Sequence, residues 1–189
     1  FTAESFAKTT TLGSYTFEGA HLMSVMNWAA LTTLGSGAFH TAIVDKDLMF
    51  PVVTSITQSA VFKYLKTGTS DSVALDFDVL EEVRNDCFQY LNSDRNSPEY
   101  GTLYLYFFEL STIDNDVFLG INNTEIAVPH ANYGLFEGKV NDVPIRYAFE
   151  SEAGSAYALE SVFTVIEGSV MSGSDVYLTP DTNGYSNPL

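Results

Sequence analysis

The chain has 189 residues, of which 24 are Asp or Glu and 8 are Lys or Arg, for a formal net charge of −16. Apolar residues make up 46% and charged residues 17%, a balance that builds a buried core and excludes disorder over most of the length. A surface of that sign repels phosphate backbones and anionic headgroups, so tight nucleic-acid binding is not expected.

Residues 1–189 are read as one globular domain, with the irregular ends 1–11 and 179–189 as extended arms. No interval of fixed length recurs and no low-complexity tract is present, which argues against solenoids and propellers. The uncharged stretch over residues 19–44 is long enough to span a bilayer, but His21, Asn27, His40, Gly35 and Gly37 interrupt its apolarity. A buried helix over residues 20–34 is expected instead, with Leu22, Val25, Met26, Ala29 and Ala30 at helical spacing and Gly35 ending it.

Residues 39–44 are rich in β-branched side chains and read as a strand, and residues 53–65 place Ile56, Ala60, Phe62 and Tyr64 on one face of another. Val73, Leu75, Phe77 and Val79 alternate with Ser72, Ala74, Asp76 and Asp78, which predicts a strand with one wet face. Asp78 then reads as an N-cap with Glu81 three residues on, opening a helix over residues 79–91 whose stripe is Leu80, Val83, Cys87 and Leu91. Residues 92–98 form a loop, and residues 102–110, apolar and aromatic on both faces, read as a central strand. Candidate strands over residues 117–121, 125–128, 135–140, 143–149, 157–165 and 176–178 complete an antiparallel pattern. The expected architecture is mainly β within the α+β class, an antiparallel β-sandwich or partly closed barrel with two packed helices.

No pair among His21, His40 and His130 has the spacing that puts two imidazoles on one metal, and His21 and His40 are expected to pack within apolar stretches. Cys87 falls on a buried stripe beside Asp86, a setting that disfavours a thiolate. There is no nucleophile elbow, phosphate loop or dinucleotide fingerprint. Asp76 and Asp78 share a strand face with Glu81 and Glu82 close behind, a set that could divide acid and base duties but reads first as a solvated face. Calcium is the metal the turns would take, through Asp114 and Asp116 or through Asp181 and Asn183, although neither completes an EF-hand loop. Asn122, Asn123 and Thr124 form a glycosylation sequon.

The 14 Phe and 11 Tyr exceed what a small core needs, which favours an interface or a sugar-binding face. These observations lead to a non-enzymatic, self-assembling structural subunit, such as a virion or tail component or an extracellular filament protein. It would be a homo-oligomer without a membrane span or cofactor, whose terminal Tyr185 and Leu189 dock on a neighbour. A secreted carbohydrate-binding module, with calcium assisting, is the alternative, and a carboxylate-dependent hydrolase the third.

Overall fold

The computed structural model describes residues 6–94, 100–128 and 135–136 in full, together with the backbone of strands between residues 145 and 178. From Thr11 to Tyr147 every strand pair is parallel. Strands β1 (Thr11–Leu12) and β4 (Thr33–Leu34) form one pair, while β2 (His21–Leu22), β5 (Ile43–Val44) and β8 (Lys66–Thr67) form a second sheet. The largest sheet runs in the order β14 (Ile145–Tyr147), β13 (Thr124–Val128), β11 (Leu103–Phe107), β9 (Val73–Phe77), β6 (Leu48–Met49) and β3 (Met26–Asn27). A fourth contains β12 (Thr112–Ile113), β10 (Glu82–Val83) and β7 (Ser55–Ile56). Parallel neighbours need a long crossover, and here the crossover is the rest of one coil, so the chain winds as a parallel β-solenoid.

That architecture overturns the antiparallel sandwich with two helices, and with it the argument against a solenoid drawn from the lack of a fixed period. The repeat is carried by Phe17, Phe39, Phe62, Phe88 and Phe118, whose intervals grow from 22 residues through 23 and 26 to 30. Because the interval drifts, a search for a fixed period misses it. Antiparallel pairing occurs between β15 (Phe149–Glu150) and β16 (Tyr157–Ala158), and among β17 (Phe163–Ile166), β18 (Ser169–Ser172) and β19 (Tyr177–Leu178).

The five phenylalanines stack at centroid distances of 5.4, 5.1, 5.1 and 5.7 Å. Trp28, Phe50, Phe77 and Phe107 form a second ladder behind the large sheet, spaced 6.4, 4.9 and 5.6 Å. The two ladders meet edge to face, as in Phe50 with Phe62 and Phe77 with Phe88. Each fully buried ring contributes about 1.5–3 kcal/mol by leaving water, and well-oriented ring pairs add about 0.5–1.5 kcal/mol.

Both expected helices are absent for a local reason. Over residues 20–34, Leu22, Met26, Trp28, Leu31 and Leu34 are buried, but they belong to three strands and the bends between them, and Val25 and Met23 face solvent. Over residues 79–91, Asn85 and Tyr90 both have φ 58°, which a right-handed helix does not admit. The same left-handed pair closes earlier coils at Tyr15 and Gly19, Gly37 and Thr41, and Ala60 and Tyr64. At Gly37, φ 63°, an added Cβ would collide with the Tyr15 ring of the coil before. The strands expected over residues 39–44 and 53–65 shrink to β5 and β7 for the same reason, since turns occupy the rest. Among the described residues no helix is long and apolar enough to cross a membrane.

Candidate functional site on the large sheet

In β9 and β11 alternate residues turn inward: Val73, Leu75 and Phe77, and Leu103, Leu105 and Phe107, are all buried. Their neighbours therefore share the outer face. Register places Met49 beside Asp76, Asp76 beside Tyr106 and Tyr106 beside Ala127, with Ala74, Tyr104 and Glu125 in the next row. Asp47 precedes β6 on this face and its Oδ1 accepts the Ala74 N–H at 2.8 Å. Tyr104, Tyr106 and Phe108 stand as a row along β11, each ring 6.2 Å from the next and within 10° of parallel. Phe108 and Ala127 form a small apolar cluster beside Tyr106.

The electrostatics of this face are set by neighbours brought from other coils. Asp76 Oδ1 is buried without a hydrogen-bond partner, and burial, then the charges of Asp78 and Asp47, pushes its carboxyl up to about 6. Burial likewise raises Asp78. Tyr106 is pushed up to about 12, first by burial and then by Tyr104, Asp76, Asp47 and Glu125, so its hydroxyl keeps its proton at neutral pH. Asp47, Asp76 and Asp78 form no ion pair among the described residues. Lys46, Lys63, Lys66 and Arg84 are already committed to carboxylates one coil away, at 3.1 Å from Asp71, 2.7 Å from Asp86, 2.9 Å from Asp94 and 3.4 Å from Asp114.

Asp76 stands on the outer face as the alternation predicts, but the alternation stops at Phe77: Asp78 lies in the bend after β9, and Val79, expected inside, is exposed. The sequence reading missed that Asp47 and the two tyrosines join the two aspartates, because sheet register rather than local spacing brings these residues together. The expected cap at Asp78 has no helix to cap. Glu82 is paired with Arg84.

Asp114 has a structural partner set: its Oδ2 accepts the Asn85 N–H at 3.0 Å and its Oδ1 faces Arg84 Nη1. Asp86 repeats the device one coil earlier, accepting from Ala60 N–H and Lys63, interactions that lower its carboxyl although burial opposes them. Asp114 and Asp116 line an open groove of about 590 Å³ with Ser59, Asn85, Asp86, Gln89, Ile113 and Asn115. Among the described residues no group of three or more His, Cys, Asp or Glu could hold a metal ion. Asp181, Asn183, Tyr185, Leu189 and His130 lie outside the described residues.

His21 and His40 are not core imidazoles: they face Asp45 at 2.9 Å and Glu18 at 3.2 Å across coils at the surface. Cys87 is buried, and burial followed by the Asp86 charge pushes its thiol well up, as expected of a core residue. In the sequon, Asn122 Nδ2 donates to the Ser93 carbonyl and Thr124 Oγ1 donates to the Asn122 carbonyl.

No protein-family model, curated protein or solved structure matches the chain.

Proposed function

We propose that the protein is a non-enzymatic recognition scaffold whose working surface is the outer face of the six-stranded sheet. The observation that carries this reading is the pair of half-buried rings Tyr104 and Tyr106, backed by the buried Phe108, beside Asp47, Asp76 and Asp78. Aromatic side chains supply rigid contact area at little entropy cost, and a solenoid presents such a row on an extended, stiff surface. The interior supports the surface without joining it, since the inward residues of β9 and β11 are fully packed.

The self-assembling subunit inferred from the sequence drew on a terminal arm that lies outside the described residues, and the sheet face is the better supported alternative. Selection of displayed random dodecapeptides against the immobilised protein tests it. Enriched peptides should compete with one another and lose binding to the Y104S/Y106S double variant, with folding checked by circular dichroism. A selection that enriches nothing, or peptides that bind the variant undiminished, would overturn the reading.

A further inference from the structure

The geometry points to a basic, extended polypeptide segment as the occupant of this face, its Lys or Arg side chains set against Asp47, Asp76 and Asp78 and its backbone lying along the tyrosine row. The inference rests on the recognition reading and adds the chemistry of the partner. Charge complementarity argues for it. The three carboxylates have no counter-ion among the described residues, whereas Lys46, Lys63, Lys66 and Arg84 are drawn to other carboxylates elsewhere on the solenoid. Burial, and after it the charges of Asp78 and Asp47, hold Asp76 above its ordinary range, and a partner that supplies positive charge relieves the part due to repulsion.

Spacing argues for an extended chain. Asp76 lies on β9 and Asp78 just past its end, near enough for their charges to interact, and an extended peptide offers its alternate side chains at an interval of about 6.7 Å. The rings of Tyr104 and Tyr106, 6.2 Å apart, repeat that interval one strand over. They offer π-faces and edges to the aliphatic stems and charged heads of Lys and Arg. The chain already makes such a contact elsewhere, with Lys63 Nζ 5.9 Å from the Tyr64 ring centroid and 5.7 Å from that of Tyr90. Nucleic acids and anionic lipid surfaces carry the wrong sign for this face.

Fluorescence anisotropy with three labelled dodecapeptides tests the proposal, one alternating Lys with Ser, one alternating Glu with Ser and one alternating Leu with Ser. The Lys peptide should bind, and should weaken about tenfold or more as salt rises to physiological strength and above. D47N/D78N should weaken it about tenfold, while E18Q/E81Q, which removes the same net charge from exposed positions outside β6, β9 and β11, should leave it within about twofold. Equal weakening by both double variants would reduce the effect to net charge and overturn the proposal. Binding of the Leu peptide in preference to the Lys peptide, lost in Y104S/Y106S, would also overturn it while leaving the recognition reading standing. If none of the three binds and the displayed selection is empty as well, both fall.

Discussion

Asn92 ties three coils together with one side chain. It is fully buried at φ 48°, its Oδ1 accepts the Thr67 N–H at 2.9 Å, and its Nδ2 donates to the Asn123 carbonyl at 3.1 Å. Asn123 repeats the posture at φ 39°, donating to the carbonyls of Tyr100 and Gly101. Asn92→Ala strips partners from a buried N–H and a carbonyl at once and should cost about 2–4 kcal/mol in urea denaturation; a loss below about 1 kcal/mol would mean that water replaces the amide. At Asp76 the effect has the opposite sign. Its folded carboxyl lies near 6, above the ordinary 3.8 of an aspartate, so the folded state holds the proton more tightly and stability falls as pH rises from about 4 to about 6. Asp76→Asn should therefore stabilise the protein at pH 7, by about 1–2 kcal/mol once solvent screening is discounted, and flatten the pH profile of thermal unfolding in that window. A variant as stable as the parent at pH 7 would show Asp76 to be well solvated. The wild-type carboxylate thus costs stability, as surfaces kept for binding commonly do.

Among the elements, length decided what could be read beforehand. Strands β9, β11 and β13 run five residues each, long enough for alternation to show, and the expected strand over residues 102–110 indeed contains β11. Phe107 on β11 is fully buried between Phe77, Phe88 and Phe118, so Phe107→Ala should cost about 3–5 kcal/mol by chemical denaturation. Two-residue strands carry no period at all. In the first coil, Leu22, Met26, Trp28, Leu31 and Leu34 turn inward at intervals of two to four residues because the chain rounds a corner that often. That spacing imitates an amphipathic helix, and a charge-free stretch offers nothing to break the resemblance. The positions that would have corrected it are the turns, where Tyr15, Thr41, Ala60 and Tyr64 adopt left-handed φ without being glycine. Local sequence gives little warning of such a posture in a tyrosine or a threonine. The candidate site was half legible for the same reason: Asp76 and Asp78 come from one short stretch of chain, but Asp47, Tyr104 and Tyr106 lie 28 to 30 residues from Asp76 on neighbouring coils.

On the scale of the whole molecule, each coil touches its neighbours and stability is approximately a sum of coil terms and nearest-neighbour couplings. The phenylalanine ladder is the main coupling, and Phe88 is its central contact, stacked on Phe62 at 5.1 Å and Phe118 at 5.7 Å and edge-on to Phe77 and Phe107. The single tryptophan, Trp28, sits in the first coils among Phe6, Phe17, Phe39 and Phe50 and so reports on that end alone. In the parent protein, Trp28 fluorescence and far-ultraviolet circular dichroism should lose their signals together in urea, because the ladder carries unfolding from end to end. Phe88→Ala breaks the phenylalanine ladder between the two halves and strips the edge contacts of Phe77 and Phe107, while Phe17, Phe39 and Phe50 still pack around Trp28. The two transitions should then separate, with circular dichroism falling first and fluorescence holding near the parent midpoint. Coincident transitions shifted together by about 3–5 kcal/mol would mean that the backbone ladders and the ring ladder through Phe50, Phe77 and Phe107, rather than Phe88, transmit cooperativity along the solenoid.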